Sequence, residues 1–411
     1  MGSNTTGTRN IAIGAEALDA SVGVNDNVAI GHQAMTANTG NGASANTGKQ
    51  NIAIGSYALK SLNSTSSGDS IDNVAIGVEA MESATSAYRN VAIGYRAFEL
   101  NQTQNNTVAV GWYALRESVS GGSNTALGHY TLTRTTTGAS NTAVGNATLQ
   151  YNTTGSYNTG VGHRALDQAS TADNNTAVGY QALYLNTTGD LNTAIGVNAM
   201  SNCTNADRNV AVGYATLQNI AADQGDTYHT CIGYGAGNSI TTATQQTHVG
   251  ANAGLSVTTG NSNTFIGYNA GSGTTTGAHN TAVGRSIFQS NTTGSSNVAM
   301  GANALQSNTT QGENVAIGYN ALLNAGANTN TAVGCEAGEQ TTTGYANVYI
   351  GMRAGEECTT AYQTTVIGAY ALDDCTTGIK NTAVGWDAGG DVSTGGHNVY
   401  VGTNAGDDHT T

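Results

Sequence analysis

The 411-residue chain carries 12 basic and 26 acidic side chains for a net charge of −14, with 9% of residues charged and 38% hydrophobic. That balance repels phosphate backbones and anionic lipid, and no run of 18 apolar residues exists, so neither nucleic-acid binding nor membrane insertion is expected. Proline is absent, where average usage would place about 20; a fold that spends nearly every backbone N–H in a ladder accounts for this, because proline removes a donor.

The opening residues, Met1-Gly2-Ser3-Asn4-Thr5-Thr6-Gly7, show no basic segment followed by an apolar one, so no signal peptide is expected. From Asn10 onward one phrase recurs 23 times: Asn, Thr or Val, Ala, Val or Ile, Gly. Its final glycines begin at Gly14 and Gly31, pass through Gly145, Gly162, Gly179 and Gly196, and end at Gly385 and Gly402. Of the 22 intervals, 18 equal the step from Gly145 to Gly162. Longer units fall at 31–55, 55–77 and 213–233, a shorter one at 318–334, and the phase recovers after each.

A fixed short period means stacked units that bury their apolar faces against one another. The expected fold is all-β, a parallel β-solenoid of about 23 rungs forming one repetitive rod over residues 1–411, on the order of 110 Å long at strand spacing. The chain starts inside a Thr-Thr-Gly turn and stops at Asp407-Asp408-His409-Thr410-Thr411. It therefore reads as a piece of a longer fibre whose anchor or folding domain lies elsewhere.

Counting each rung glycine as position 0, position −4 is Asn in 19 repeats, including Asn141, Asn158, Asn175 and Asn192. A stacked asparagine ladder, each amide bonding the next and capping the turn backbone, explains the column without a ligand. Positions −3 and −1 are β-branched almost throughout and face one way; positions −2 and 0 are mostly Ala and Gly and face the other. A strand apolar on both faces is buried on both. One face is expected to line the lumen, and the small Ala/Gly face to meet another copy of the chain. In turns such as Asn152 to Gly155 and Asn186 to Gly189, glycine is expected to supply a positive φ.

Positions +4 and −2 vary together. Where +4 is Leu, Met or Phe, the next repeat has a small residue at −2; where +4 is Gly, the next −2 is usually bulky. The pairs are Gly237 with His248, Gly254 with Phe265, Gly338 with Tyr349, Gly355 with Val366 and Gly389 with Tyr400, and Gly271 with Ala282 is the one uncompensated case. Packed interiors conserve volume, so contact is expected between each +4 and the following −2, as between Gly254 and Phe265.

The residues Asn51-Ile52-Ala53-Ile54-Gly55 and Asn73-Val74-Ala75-Ile76-Gly77 resemble the repeat of YadA-type trimeric autotransporter adhesin heads. The longer unit from Asn175 to Gly189 is similar to repeats of bacteriophage tail fibres and related surface proteins that often end in an endosialidase-type intramolecular chaperone. The resemblance covers essentially the whole chain, although the common adhesin-head unit is shorter than the one repeated here. It implies a left-handed β-roll, a homotrimer, and an extracellular setting on a virion tail fibre or cell surface.

Chemistry is sparse. Gly233-Tyr234-Gly235-Ala236-Gly237 looks like a phosphate loop but consists of the rung glycine and the +4 glycine. The eight histidines show no metal spacing, and no catalytic triad or carboxylate pair recurs, so no enzyme activity, cofactor or metal is expected. Cys203, Cys358 and Cys375 share column +7, and the last two, on neighbouring rungs, stand within disulfide reach; stacked free thiols are the plainer expectation. Column +1 holds Tyr95, Trp112, Tyr180, Tyr214, Tyr234, Tyr268, Tyr319 and Trp386. Exposed aromatics at rung spacing can stack on sugars, or simply pack along the rod. Threonines at −3, such as Thr142, Thr159 and Thr176, resemble an ice-binding array, but Val and Ile replace them elsewhere, as in a buried column.

The leading expectation is a structural shaft that presents a receptor-binding tip to a host-surface glycan or protein. A glycan-binding module using the +1 aromatics comes second, and an ice-binding solenoid third.

Overall fold

Two of the three residues in each Thr/Val-Ala-Val/Ile phrase are β-branched, so the phrase forms a strand, and the glycine that follows ends it. The computed structural model of the chain describes residues 6–40, 48–64, 70–221 and 225–406 and shows a parallel β-solenoid with one turn per sequence repeat. The chain divides into two units, Met1–Arg208 and Asn209–Thr411. The opening five and closing five residues, and the inserted segments 41–47, 65–69 and 222–224, lie outside the described residues.

In the first unit, three-residue strands from Ile11–Ile13 to Thr193–Ile195 pair in parallel with like residues opposed: Thr142 with Thr159, Ala143 with Gly160, Val144 with Val161. Register survives the two long units, where Val28 pairs with Ile52 and Ile52 with Val74. In the second unit, strands from Val210–Val212 to Val399–Val401 do the same, with Val210 opposite Thr230 across the lengthened turn and Val315 opposite Thr331 across the shortened one.

The lumen is narrow. Ala143, Ala177 and Ala194 at position −2 are fully buried, and so are Leu149, Leu166 and Leu183 at position +4. Positions −3 and −1 point outward, with Ile195 40% and Ile367 39% exposed. This reverses the expected use of the two faces. The small Ala/Gly face lines the lumen and meets the chain's own +4 side chains, because a lumen one residue wide has room for Ala opposite Leu. The β-branched face is the outer one. Thr142, Thr159, Thr176 and Thr193 therefore stand outside the lumen, exposed or half-buried, and not in a buried column as expected.

The asparagine column forms a ladder. Asn158 N–H donates to Asn141 Oδ1 (2.9 Å), Asn175 N–H to Asn158 Oδ1 (3.0 Å) and Asn192 N–H to Asn175 Oδ1 (2.9 Å). Each Nδ2 donates to a turn carbonyl of the next repeat, as from Asn141 to Gly155 (2.8 Å) and from Asn175 to Gly189 (2.8 Å). Both ends of these buried amides are thus satisfied, as burial requires. His229 continues the ladder where Asn is missing, its Nδ1 accepting from Gln246 N–H at 3.3 Å.

Between strands the backbone alternates hands. Arg164, Leu166 and Asn174 have φ of 59°, 53° and 58°, and the equivalent positions repeat this through both units. The alternation aims N–H groups up and down in turn: Leu166 N–H reaches Ala182 O in the following turn (3.0 Å) and Arg164 N–H reaches Asn146 O in the preceding one (3.0 Å). These ladder bonds offset the roughly 1 kcal/mol that a non-glycine residue loses in the left-handed region. At the Asn-Thr-Thr-Gly turns the expected positive φ is absent from Gly155 and Gly189 and falls just beyond them, at Tyr157 and Leu191. Space decides those glycines instead: a Cβ on Gly189 would stand 2.5 Å from Asn186 Oδ1 and 2.6 Å from Ala206 O.

Of the bulky −2 side chains, Tyr349 and Tyr400 sit between two glycines rather than one, whereas Val366 has Leu372 at +4 of its own turn. A Cβ on Gly338 would lie 2.6 Å from the ring of Tyr349 on the following strand, and Gly355, in the same turn as Tyr349, faces the opposite edge of that ring. Tyr400 likewise lies between Gly389 and Gly406. The nearest atoms to Gly254 belong to His248 of its own turn, and the ring of Phe265 lies against Gly271. Gly271 is thus not an uncompensated site; it accommodates Phe265.

Candidate functional site

Outward columns decide what this surface can do, since the lumen is filled. The −1 column presents Ile93, Leu127, Val161 and Ile195 in the first unit, each 36% to 44% exposed. In the second unit it presents Ile232, Ile266, Ile317, Ile350 and Ile367, again about two-fifths exposed. Neighbouring members are one strand spacing apart, about 4.8 Å. Each unit therefore displays a flat, continuous β-branched stripe, a surface that soluble monomers rarely leave bare at this length.

Beside the stripe runs the aromatic +1 column. Trp112, Tyr180, Tyr214, Tyr234 and Trp386 are about half exposed, whereas Tyr95 is half-buried. In the first unit Tyr95 and Trp112 are 4.8 Å apart, and the guanidinium of Arg96 lies over the Tyr95 ring. Tyr113 and Tyr130, in the +2 column that sequence reading passed over, extend this cluster with stacked rings at 5.5 Å. Tyr180 meets His163 at 5.4 Å, and Trp386 meets Tyr370 edge-on at 6.4 Å. In the second unit Tyr214 and Tyr234 stack at 5.2 Å beside a groove of about 360 Å³ floored by Ala215 and Gly235. The groove lies where column +2, which elsewhere mostly carries a longer polar or aromatic side chain such as Asn, Glu, Arg or Tyr, has only Ala215 and Gly235 on adjoining turns. That gap was visible in the sequence.

Two carboxylate triads also went unnoticed in sequence. Glu79, Glu82 and Glu99, and likewise Glu336, Glu339 and Glu356, bring their oxygens within 4.8 Å of one another, close enough to hold a cation. Each already contains an arginine: Arg96 pairs with Glu79, and Arg353 with Glu356. Burial first, then Glu336 and Glu356, raises the Glu339 carboxyl above its ordinary range. The cysteines are free, with Cys203, Cys358 and Cys375 fully buried and burial pushing Cys203 up to about 11.

Two histidines stand inside the solenoid. His229 and His248 are buried in adjoining turns of the second unit, and neither ring nitrogen of His248 has a partner. Burial lowers His229 to about 4 and His248 to about 3. Both are neutral in the folded chain at pH 7, but an unfolded chain protonates them below about 6.5. Between pH 6.5 and 4 the unfolded state therefore binds more protons, so stability is complete above 6.5 and falls as the solution acidifies. We predict a loss on the order of 3 kcal/mol per histidine by pH 4. Urea unfolding of the His248→Phe chain, whose ring fits between Gly237 and Gly254, should show a shallower decline; an unchanged pH profile would contradict the assignment.

No family model matches the chain, and no curated protein or solved structure is detectably similar to it.

Proposed function

We propose that the chain is a structural shaft whose copies associate side by side through the outer β-branched stripe. The observation that carries this is the stripe itself: one Val, Ile, Leu or Met per turn at −1, in register, none of them buried, and about two-fifths exposed at roughly every second turn, as at Leu127, Val161, Ile195, Ile232 and Ile266. Covering such a stripe over many turns removes apolar surface from water, worth about 25 cal/mol per Å², against the cost of orienting the chains. The resemblance of the repeat to trimeric adhesin heads and tail fibres supports three copies and an extracellular setting. Ladder bonds at every turn and a continuous narrow core suit a load-bearing element that presents a receptor-binding part.

Charges set into the stripe test the reading. With Val161→Lys and Ile195→Lys together, on the outer face where no lumen packing is lost, we expect the assembly to dissociate to single chains while circular dichroism stays unchanged. Retention of the unaltered chain's mass by this variant would overturn the role of the stripe. A second reading, glycan binding by the +1 aromatics, is favoured at the groove beside Tyr214 and Tyr234.

A further inference from the structure

The one turn that is a residue short, 318–334, leaves a dent in the second unit. Its volume is about 460 Å³, and it is lined by Thr310, Gln311, Asn328, Thr329 and Tyr345 together with the backbone of Gly326 and Ala327. Missing one residue, the turn withdraws beneath Tyr345, which belongs to the next turn. Tyr345 is 45% exposed, and its ring stacks on Tyr362 with centroids 5.1 Å apart and planes 1° from parallel. Tyr362 comes from the turn after Tyr345, whereas every other lining residue comes from the turns before it. Hence one face of the Tyr345 ring is covered by Tyr362, and the opposite face is the one toward the dent.

We propose that this dent binds a neutral saccharide, with one sugar ring stacked on the free face of Tyr345. Three features select the class. A ring already held parallel by Tyr362 offers a rigid apolar platform at little entropic cost. Around it stand hydroxyls and amides, which donate and accept at once and so match sugar hydroxyls. No charged side chain lines the dent, so nothing there compensates a phosphate, sulfate or carboxylate. Part of the polar rim is already fixed: Gln311 Oε1 accepts from Thr309 and Thr310 N–H at 3.1 and 3.0 Å, and Asn328 Oδ1 accepts from Gly312 N–H at 2.9 Å. The amide nitrogens of both side chains are thereby turned away from the backbone they cap. The site is separate from the shaft's stripe and from the groove beside Tyr234.

The test is an array of neutral oligosaccharides printed with their sialylated and sulfated counterparts and probed with the full chain. We expect binding confined to neutral members. It should fall at least about tenfold in Tyr345→Ala. It should also be lost when a threonine is inserted between Gly326 and Ala327, which restores the usual turn length and fills the dent without touching Tyr345. Tyr234→Ala should leave it intact. Thermal melting of each variant confirms that the fold is kept. No binding anywhere on the array, binding that survives the insertion, or binding lost only in Tyr234→Ala would each overturn the proposal, the last pointing to the other groove.

Discussion

Phe265→Ala is expected to lower the stability of the second unit by about 3 to 5 kcal/mol, because the ring is fully buried and nothing in a lumen of this width can move into the space it leaves. His248 stacks on it from one turn at 5.2 Å, and Phe288 meets it from the next at 6.3 Å. Both keep their positions through their own strands and turns, so the cavity stays open. The same packing predicts its own rescue. Where −2 is Ala, position +4 of the same turn is usually Leu, as in Ala143 with Leu149. Adding Gly271→Leu to Phe265→Ala should therefore recover a large part of the loss, whereas Gly271→Leu alone should destabilise by driving a side chain into the Phe265 ring. Urea titrations of the two single variants and the double variant complete the cycle. Additive losses would show that the two positions do not share one volume.

Gly162→Ala is the second large effect, and it arises from the backbone rather than the lumen. Gly162 has φ of +131°, a conformation open to glycine almost alone, and a Cβ there would stand 2.5 Å from the carbonyl oxygen of Gly179 in the next turn. Gly145 and Gly179 are in the same position, with clearances of 2.6 and 2.5 Å. Strain of about 1 to 3 kcal/mol adds to a similar cost of overpacking, for a total of about 4 kcal/mol. The obstructing atom is backbone in a ladder that neighbouring turns hold fixed, so relief would have to break inter-turn hydrogen bonds. Gly155 is also crowded, with Ala172 O at 2.3 Å from an added Cβ, but its φ is not left-handed. Ala172 and Ala206 occupy the same column, so the turn there can adjust to a methyl group, and Gly155→Ala should be milder. Equal melting losses at Gly155 and Gly162 would contradict the distinction.

The turn period and the strand phrase made the solenoid legible from sequence, because a short fixed repeat with Asn at one end of the strand and Gly at the other leaves few other ways to stack. Which face lines the lumen was not legible. Val and Ile are the larger apolar residues, and burial by size alone places them inside; the structure puts Ala inside because Leu149 and its equivalents at +4 already occupy the width. The volume relation between +4 and −2 was readable, but spacing alone paired Gly254 with Phe265, whereas a side chain at −2 also leans toward +4 of its own turn. For the surface, the aromatic column was evident, yet the places where an aromatic ring borders a groove depend on what is missing: a side chain at Gly235, a residue in the turn below Tyr345. Absences of that kind appear in a sequence only once the columns are aligned on the turns.

The central claim is that the outer β-branched stripe is covered by further copies of this chain. Light scattering behind size exclusion, on the unaltered chain at pH 7, tests it most directly. The account predicts the mass of an assembly, with three chains the number implied by the repeat's resemblance. A mass of one chain, unchanged with rising concentration, would leave the stripe bare in solution and contradict the account.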